Sequence, residues 1–174
     1  MKVSQNWLNS LVDINTTPEV LSEKLSIGGF EVDSLIDCSE NVKGVVLGKV
    51  LSVIKHENSD KLSICRVDIG SSNSLQIICG AQNVKPNIHV YVATVGSHLS
   101  AINLTIKRSE IRGVISEGMI CSYEELGIEE TSKGIAIIDD DIASKHKLGT
   151  SGATLLDLKA VSYTHLTLPT ILRV

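Results

Sequence analysis

The stretch Arg112–Gly127, RGVISEGMICSYEELG, lies between two runs of strand-forming residues. It contains a serine beside a glutamate, a cysteine beside a second serine, and three glycines. Ser122 and Glu125 have the three-residue spacing of a capping box, which predicts a short helix at SYEELG. The stretch is either a catalytic loop or a surface shaped to hold something else in place, and the rest of the chain decides between these.

Short apolar runs surround this stretch and are separated by Gly, Asn and Ser. Because no long helix intervenes, they predict a closed or nearly closed β-barrel. Five principal strands favour an OB-type barrel, and a small sandwich is the alternative. The runs are GVVLGKVLSVIKH, KLSICRVDIG, SLQIICG, NIHVYVATVG, LTIKRSEIRG and GIAIIDD.

Residues 1–39 have a different pattern, which predicts a small helix-helix-strand unit. Ser4 can cap a first helix. Thr17 as N-cap, Pro18 at the first helical position and Gly28-Gly29 after the last turn define a second helix. Alternation from Phe30 onward predicts a strand. The apolar stripes of the two helices are Trp7, Leu8, Leu11 and Val12, and then Val20, Leu21 and Leu25.

The amino-acid composition limits the functions that the chain can have. Of its 174 residues, 43% are hydrophobic and only 3% are aromatic, so the core must be aliphatic. A net charge of -4 argues against gripping nucleic acid through bulk charge, and any such site has to be a local patch. Four cysteines without a CxxC pair, no signal peptide and no apolar run of membrane-spanning length favour a reducing, cytoplasmic setting without a membrane partner.

The residues that could carry covalent chemistry lack the required spacing. Ser116 has glycines three before and two after it, which does not match a nucleophile elbow. His56, Cys79 and His98 have no metal-ligand spacing. Neither GxGxxG nor GxxxxGK[ST] occurs, so the sequence indicates no nucleotide site. We therefore expect no catalytic residues, no metal and no cofactor in this chain.

Basic residues cluster at two places in the predicted barrel. Lys107, Arg108 and Arg112 lie on one strand and its outgoing turn, and Lys55 and Lys61 flank the turn KHENSDK. If these loops converge on one rim, they could hold a phosphodiester backbone. The alternative is an ordinary solvated rim. With Tyr91 and Tyr123 the only aromatics in the barrel, a broad stacking platform is not expected.

The C-terminal run VSYTHLTLPTILRV differs from everything before it. It has high β-propensity and one formal charge, and nothing earlier in the chain prepares a partner for it. We expect residues 161–174 to be a non-native tail. A genuine C-terminal strand is the alternative.

Three segments in order, HENSDKL (56–62), IICGAQN (77–83) and RGVISEGMICSYEELGI (112–128), closely resemble the tRNA-binding OB module. That module occurs in the bacterial phenylalanyl-tRNA synthetase β chain, in many methionyl-tRNA synthetases and in small free-standing proteins. MKVSQNWLNSLV and SIGGFEVDSL, which precede it here, resemble the N-terminal segment of the β chain. The resemblance extends from Met1 to about Lys159.

The resemblance implies an α+β chain in which a small split helix/strand domain carries an inserted five-stranded OB-type barrel. Its domains would be 1–39, the barrel at 40–147, and the start of a return segment at 148–160. The parent enzyme, with two α and two β chains, attaches phenylalanine to its tRNA with ATP and magnesium. Its active site is on the α chain, so the fragment itself is expected to be non-catalytic.

The family motifs also suggest residues that face tRNA. Asn83, Ser116 and Ser122 occupy motif positions and join the basic residues as candidates, which gives Lys55, Lys61, Asn83, Lys107, Arg108, Arg112, Ser116 and Ser122. Glu57, Ser59 and Gln82 depart from the usual proline, alanine and proline. Two alternatives stay open, a docking module within the synthetase and a free-standing tRNA-binding protein. The N-terminal helical unit disfavours the second.

Overall fold

The structure, a computed structural model, describes residues 2–3, 8, 11–32, 39–155 and 164–167. The chain forms two compact units. Met1–Ser39 and Asp157–Val174 make up one, and Glu40–Leu156 makes up the other. The second unit continues nine residues beyond the boundary expected at 147. The predicted domain boundaries stay predictions.

The elements are short apart from one long strand and one helix. The helices are α1 (Pro18–Ile27), α2 (Asp140–Ala143) and α3 (Gly152–Leu155), with 3-10 turns at Ser39–Val42 and Ser100–Ile102. The strands are β1 (Lys2–Val3), β2 (Glu31–Val32), β3 (Val45–Lys55), β4 (Ser63–Asp68), β5 (Leu75–Cys79), β6 (His89–Thr94), β7 (His98–Leu99), β8 (Leu104–Thr105), β9 (Ser109–Ile111), β10 (Val114–Ser116), β11 (Gly118–Ile120), β12 (Ile137–Ile138) and β13 (Thr164–Thr167).

In the smaller unit, α1 begins and ends as the sequence predicts. The Thr17 hydroxyl accepts a hydrogen bond from the Val20 amide at 3.5 Å, Pro18 opens the helix, and Gly28 follows its last turn. The helix predicted after Ser4 lies largely outside the described residues. Strand β13 pairs with both β1 and β2, so four residues of the C-terminal run have partner strands. The non-native origin of residues 161–174 stays a prediction.

The larger unit is the predicted five-stranded antiparallel barrel, which is confirmed. Its strands follow the order β11-β6-β3-β4-β5, and β12 adds to β6. Strand β3 is long enough to pair with β6 through Val45–Lys49 and with β4 from Lys49 onward. Its register shifts between Val50 and Ser52, which bends the strand around the core.

The barrel is closed by side-chain and main-chain hydrogen bonds between β5 and the β10–β11 segment. The Ser116 hydroxyl accepts from the Ile78 amide at 3.1 Å and donates to the Gly118 carbonyl at 3.0 Å. The Glu117 amide donates to the Gln76 carbonyl at 2.8 Å, and the Gln76 side-chain amide donates to the Ile115 carbonyl at 2.9 Å. The opening stretch is therefore part of the barrel wall.

The core inside this wall is aliphatic, as the composition requires. Val50, Val67, Ile77, Val90 and Val92 are fully buried together. Cys65 and Cys79 pack in the same cluster as small hydrophobic residues.

The capping box forms, but the helix predicted after it does not. The Glu125 carboxylate accepts from the Ser122 amide at 2.6 Å, and the Ser122 hydroxyl accepts from the Glu125 amide at 3.2 Å. The chain from 123 to 127 is a turn instead, since Gly127 takes a positive φ of 69° and ends the first turn.

Replacing Ser116 with Ala should destabilise the barrel unit. The Ile78 amide, in a buried part of the wall, would lose its acceptor, which costs about 1–3 kcal/mol. Urea unfolding followed by circular dichroism measures the change, with Ser72→Ala at an exposed turn as the control. An unchanged unfolding free energy in Ser116→Ala would contradict the closure described above.

Candidate nucleic-acid interface

One rim of the barrel is built from the turn between β3 and β4. The His56 amide donates to the Leu62 carbonyl at 3.0 Å, and the Ser59 amide donates to the His56 carbonyl at 3.2 Å, so the turn is compact. Lys55 Nζ lies 2.7 Å from Asp60 Oδ1 in an exposed ion pair. Such a pair is worth little in water, and it leaves Lys55 able to exchange its carboxylate for another anion.

The His56 side chain ties this turn to a second element. It is 2% exposed. Its Nδ1 accepts from the Asn58 amide at 3.0 Å, and its Nε2 lies 3.3 Å from the Ile111 carbonyl oxygen. Because a ring nitrogen that accepts a hydrogen bond carries no proton, the neutral imidazole has its proton on Nε2 and donates to Ile111. The ring thereby joins the β3–β4 turn to the end of β9.

Strands β9 and β10 form a hairpin with a two-residue turn at Arg112 and Gly113. Both residues have positive φ, 52° and 87°, and Ile111 pairs with Val114 across the turn. This is the type I′ geometry that favours Asn-Gly, so an arginine at the first position is held in an unfavourable backbone conformation. Arg112 Nη1 donates to the Asn58 carbonyl at 2.7 Å, which places the guanidinium beside the β3–β4 turn.

Two concavities meet on this rim. The first, called here the Arg112 concavity, has a volume of about 620 Å³ and is lined by Glu57, Asn58, Ser59, Asp60, Lys61 and Arg112. The second, called the Leu62 concavity, has a volume of about 530 Å³ and is lined by Lys55, Asp60, Lys61, Leu62, Ser63, Gly80, Ala81, Gln82 and Val84. Asp60 and Lys61 line both. The structure therefore brings together three of the predicted residues, Lys55, Lys61 and Arg112.

The other two predicted cations lie elsewhere. Arg108 precedes β9 at the end of the hairpin opposite Arg112, four residue steps or roughly 13 Å away along the strand. Its Nη2 is 3.4 Å from Glu117 Oε1, on the side where β5 closes the barrel. Lys107 is exposed beside it. The cluster that the sequence suggested is thus divided between the two ends of one hairpin.

The three uncharged candidates have structural partners. Asn83 donates to the Ile135 carbonyl at 2.9 Å and accepts from the Ile135 amide at 3.0 Å, and Gly134 leaves room for it because a Cβ there would lie 2.4 Å from Asn83 Oδ1. Ser116 is 3% exposed and closes the barrel. Ser122 lines a third concavity of about 360 Å³, which shares Gly80 and Ala81 with the Leu62 concavity, but its hydroxyl is bonded to Glu125.

The rim carries cationic side chains, and the described thiols of the barrel are not activated for covalent chemistry. Burial raises the pKa of the Cys65 and Cys121 thiols to about 12 and also raises the pKa of Cys79. Protonated, buried thiols are poor nucleophiles and poor metal ligands. Among the described residues, no group of three or more His, Cys, Asp or Glu side chains could hold a metal ion.

Sequence reasoning did not anticipate the roles of His56 and Asn58. From the sequence, both residues are only members of the HENSDKL motif, and His56 is otherwise a metal-ligand candidate without the required spacing. The available signal was a histidine at the end of a β-branched run, directly before a polar turn. Such a residue can be buried only if both ring nitrogens find partners.

The fold defines a class of protein, an OB-type barrel, and its rim gathers Lys55, Lys61 and Arg112 beside Glu57 and Asp60. Residues 45–147 match the family described as "Putative tRNA binding domain". The match covers more than half of the chain, and the chain belongs to this family.

The resemblance to the β chain is confirmed by curated relatives. The chain is 81% identical over 163 residues to the phenylalanine--tRNA ligase beta subunit of Prochlorococcus marinus subsp. pastoris, and 71% identical over 163 residues to that of Prochlorococcus marinus strain MIT 9312. It is 52% identical over 158 residues to that of Synechococcus sp. strain CC9605. These alignments cover 94%, 94% and 91% of the chain, and the chain spans 20% of each relative's length.

Among solved structures, the C-terminal domain of Plasmodium vivax p43 matches with a TM-score of 0.36 and 23% identity, covering 44% of this chain and 43% of that one. Separately, the described helices include none that is long and apolar enough to cross a membrane.

The two residues of the hairpin turn should differ in how much their substitution destabilises the barrel. Arg112→Asn should change the unfolding free energy by less than about 1 kcal/mol, because relief of the left-handed backbone offsets the lost bond to Asn58. Gly113→Ala should destabilise by about 1 kcal/mol or more, since φ is 87° there. Denaturant unfolding of both variants measures this. A strongly destabilised Arg112→Asn would show that the guanidinium is needed for folding.

Proposed function

We propose that this chain is the tRNA-contacting N-terminal region of a phenylalanine--tRNA ligase β subunit, and that Lys55, Lys61 and Arg112 hold tRNA phosphates. The observation that carries the proposal is that Lys61 and Arg112, fifty-one positions apart, line one concavity in a domain of the tRNA-binding family. The identity of 81% to a ligase β subunit supports the parent enzyme.

The whole enzyme's chemistry belongs to this proposal as well. The ligase would attach phenylalanine to tRNA with ATP and magnesium, on an active site of the α chain in a two-α two-β assembly. The resemblance to β chains supports this arrangement. A cytoplasmic location is part of the same proposal, and the free, buried thiols of Cys65, Cys79 and Cys121 suit a reducing compartment.

The contacts would position tRNA rather than read its sequence. Lysine and arginine bound to phosphates fix the register of a nucleic acid without discriminating bases. Asn58 fixes the Arg112 guanidinium through its carbonyl, which reduces the entropy lost when a phosphate is bound. The local cluster also explains how a chain with a net charge of -4 can offer three cationic side chains on one rim, although Glu57 and Asp60 lie beside them.

A second function, docking within the assembled synthetase, is favoured by one observation. Leu51 and Ile54 on β3 are 47% and 62% exposed, although they are large and apolar. Such side chains on a strand can pack against another domain. In that case the rim would have little RNA affinity of its own.

The salt dependence of tRNA binding separates the two functions. Each phosphate contact releases counterions, so log affinity falls with log salt by about 0.7–0.9 per contact. The double variant Lys61→Ala/Arg112→Asn should flatten the slope by about 1.5, and affinity should fall similarly for cognate and non-cognate tRNA. Binding of the full chain to tRNA over a salt series measures both.

Two variants of equal charge loss complete the experiment. Lys145→Ala/Lys147→Ala, at exposed positions after α2, should leave the slope unchanged. Lys107→Ala/Arg108→Ala tests the other end of the hairpin, and a smaller effect than that of the Lys61/Arg112 pair is expected. If all three double variants bind like the wild type, the rim does not contact tRNA and the docking function is favoured.

A further inference from the structure

The Leu62 concavity combines an apolar floor with a polar edge. Leu62, Ala81 and Val84 supply aliphatic surface, while Ser63 and Gln82 add groups that can donate and accept hydrogen bonds. Its volume of about 530 Å³ falls within the ~300–1,000 Å³ range of small-ligand sites. A phosphate backbone alone would gain no binding energy from this aliphatic surface.

The Arg112 concavity next to it shares Asp60 and Lys61 but has no aliphatic lining residue. Its lining is entirely polar or charged. Lys61 lies where the two concavities meet, and Arg112 lies on the polar side. A partly aliphatic compartment with a hydrogen-bonding edge is thus joined to a polar compartment in which Lys61 and Arg112 lie beside Glu57 and Asp60. The first suits a flat base, and the two cations of the second suit its phosphate.

We propose, building on the function proposed above, that the two concavities together bind one unpaired nucleotide of tRNA. The base enters the Leu62 concavity, and its phosphate lies between Lys61 and Arg112. A base within a duplex is stacked and paired and cannot enter such a recess, whereas bases in loops and at ends can be splayed out. The rim therefore selects single-stranded regions.

Gly80 keeps the floor open. It is exposed and lines the Leu62 concavity, and a Cβ there would meet Leu62 Cδ2 at 3.6 Å, which is ordinary contact. A side chain at this position is therefore compatible with the fold, and a large one would occupy the space that the base needs. Because the floor is aliphatic, the base gains less binding energy than it would by stacking on an aromatic side chain. The Leu62 concavity therefore tolerates different bases.

The experiment compares three fluorescein-labelled RNAs at one salt concentration. These are a single-stranded RNA, the same backbone with abasic residues throughout, and the blunt duplex of the first. The full chain should bind the single strand roughly fivefold or more tightly than the abasic backbone or the duplex at equal phosphate concentration. Gly80→Leu should abolish this preference while keeping the salt slope, because the phosphate contacts remain.

Ser72→Leu is the matched control. It adds the same side chain at the exposed turn between β4 and β5, at the far end of the strands that flank Gly80, and it should bind like the wild type. Circular dichroism confirms that both variants are folded. The abasic comparison on the wild type tests the proposal even if Gly80→Leu does not fold.

The outcomes separate this inference from the function on which it rests. Equal binding of the single strand, the abasic backbone and the duplex by the wild type would overturn the nucleotide recess. If Lys61→Ala/Arg112→Asn still weakened tRNA binding in that case, the phosphate-binding rim would stand. If that double variant also bound tRNA normally, both proposals would fall.

Discussion

The rim depends on one buried side chain, the imidazole of His56. Its two ring nitrogens bond to the Asn58 amide and the Ile111 carbonyl, which lie on separate elements of the barrel. A buried ring with both nitrogens satisfied has one permitted orientation, so it fixes the distance between the β3–β4 turn and the β9–β10 hairpin. Asn58 in turn anchors Arg112, and the Arg112 concavity is formed where these two elements are held together.

Barrel topology then determines which residues share this rim. Strands β4 and β5 are antiparallel, and Ser63 pairs with Cys79. Lys61, just before β4, and Gly80, just after β5, are therefore neighbours although the sequence separates them. The closure through Ser116 keeps β5 beside β10 and brings the hairpin to the same side. The candidate site thus results from strand pairing within the barrel itself.

Much of this fold was readable from the sequence, for reasons that are local. Thr17-Pro18 and the final glycines define α1, and β-branched runs between polar turns define the strands. The capping box of Ser122 and Glu125 was also readable, although Gly127 limits it to one turn. These signals depend on residues within a few positions of one another.

The site was only partly readable, because it depends on contacts between distant residues. Lys107, Arg108 and Arg112 are close in sequence, yet the hairpin separates Arg108 from Arg112 and pairs the latter with a turn fifty residues earlier. Asn83 and Ser116, which occupy motif positions, bond to Ile135 and Ile78, which are distant in the sequence. A motif shows that a residue type is required at a position. The hydrogen-bond partner of that residue in the structure indicates whether the requirement comes from folding or from binding.

The most direct test of this account is an NMR titration of the isotope-labelled chain with tRNA. The account predicts that amide shifts change at Lys55–Leu62, Gly80–Gln82 and Arg112–Gly113. The opposite end of the barrel, at Gly44 and Thr94–Ser100, should remain unaffected. Changes confined to that opposite end, or to Leu51 and Ile54 on β3, would contradict the claim that the His56-organised rim binds tRNA.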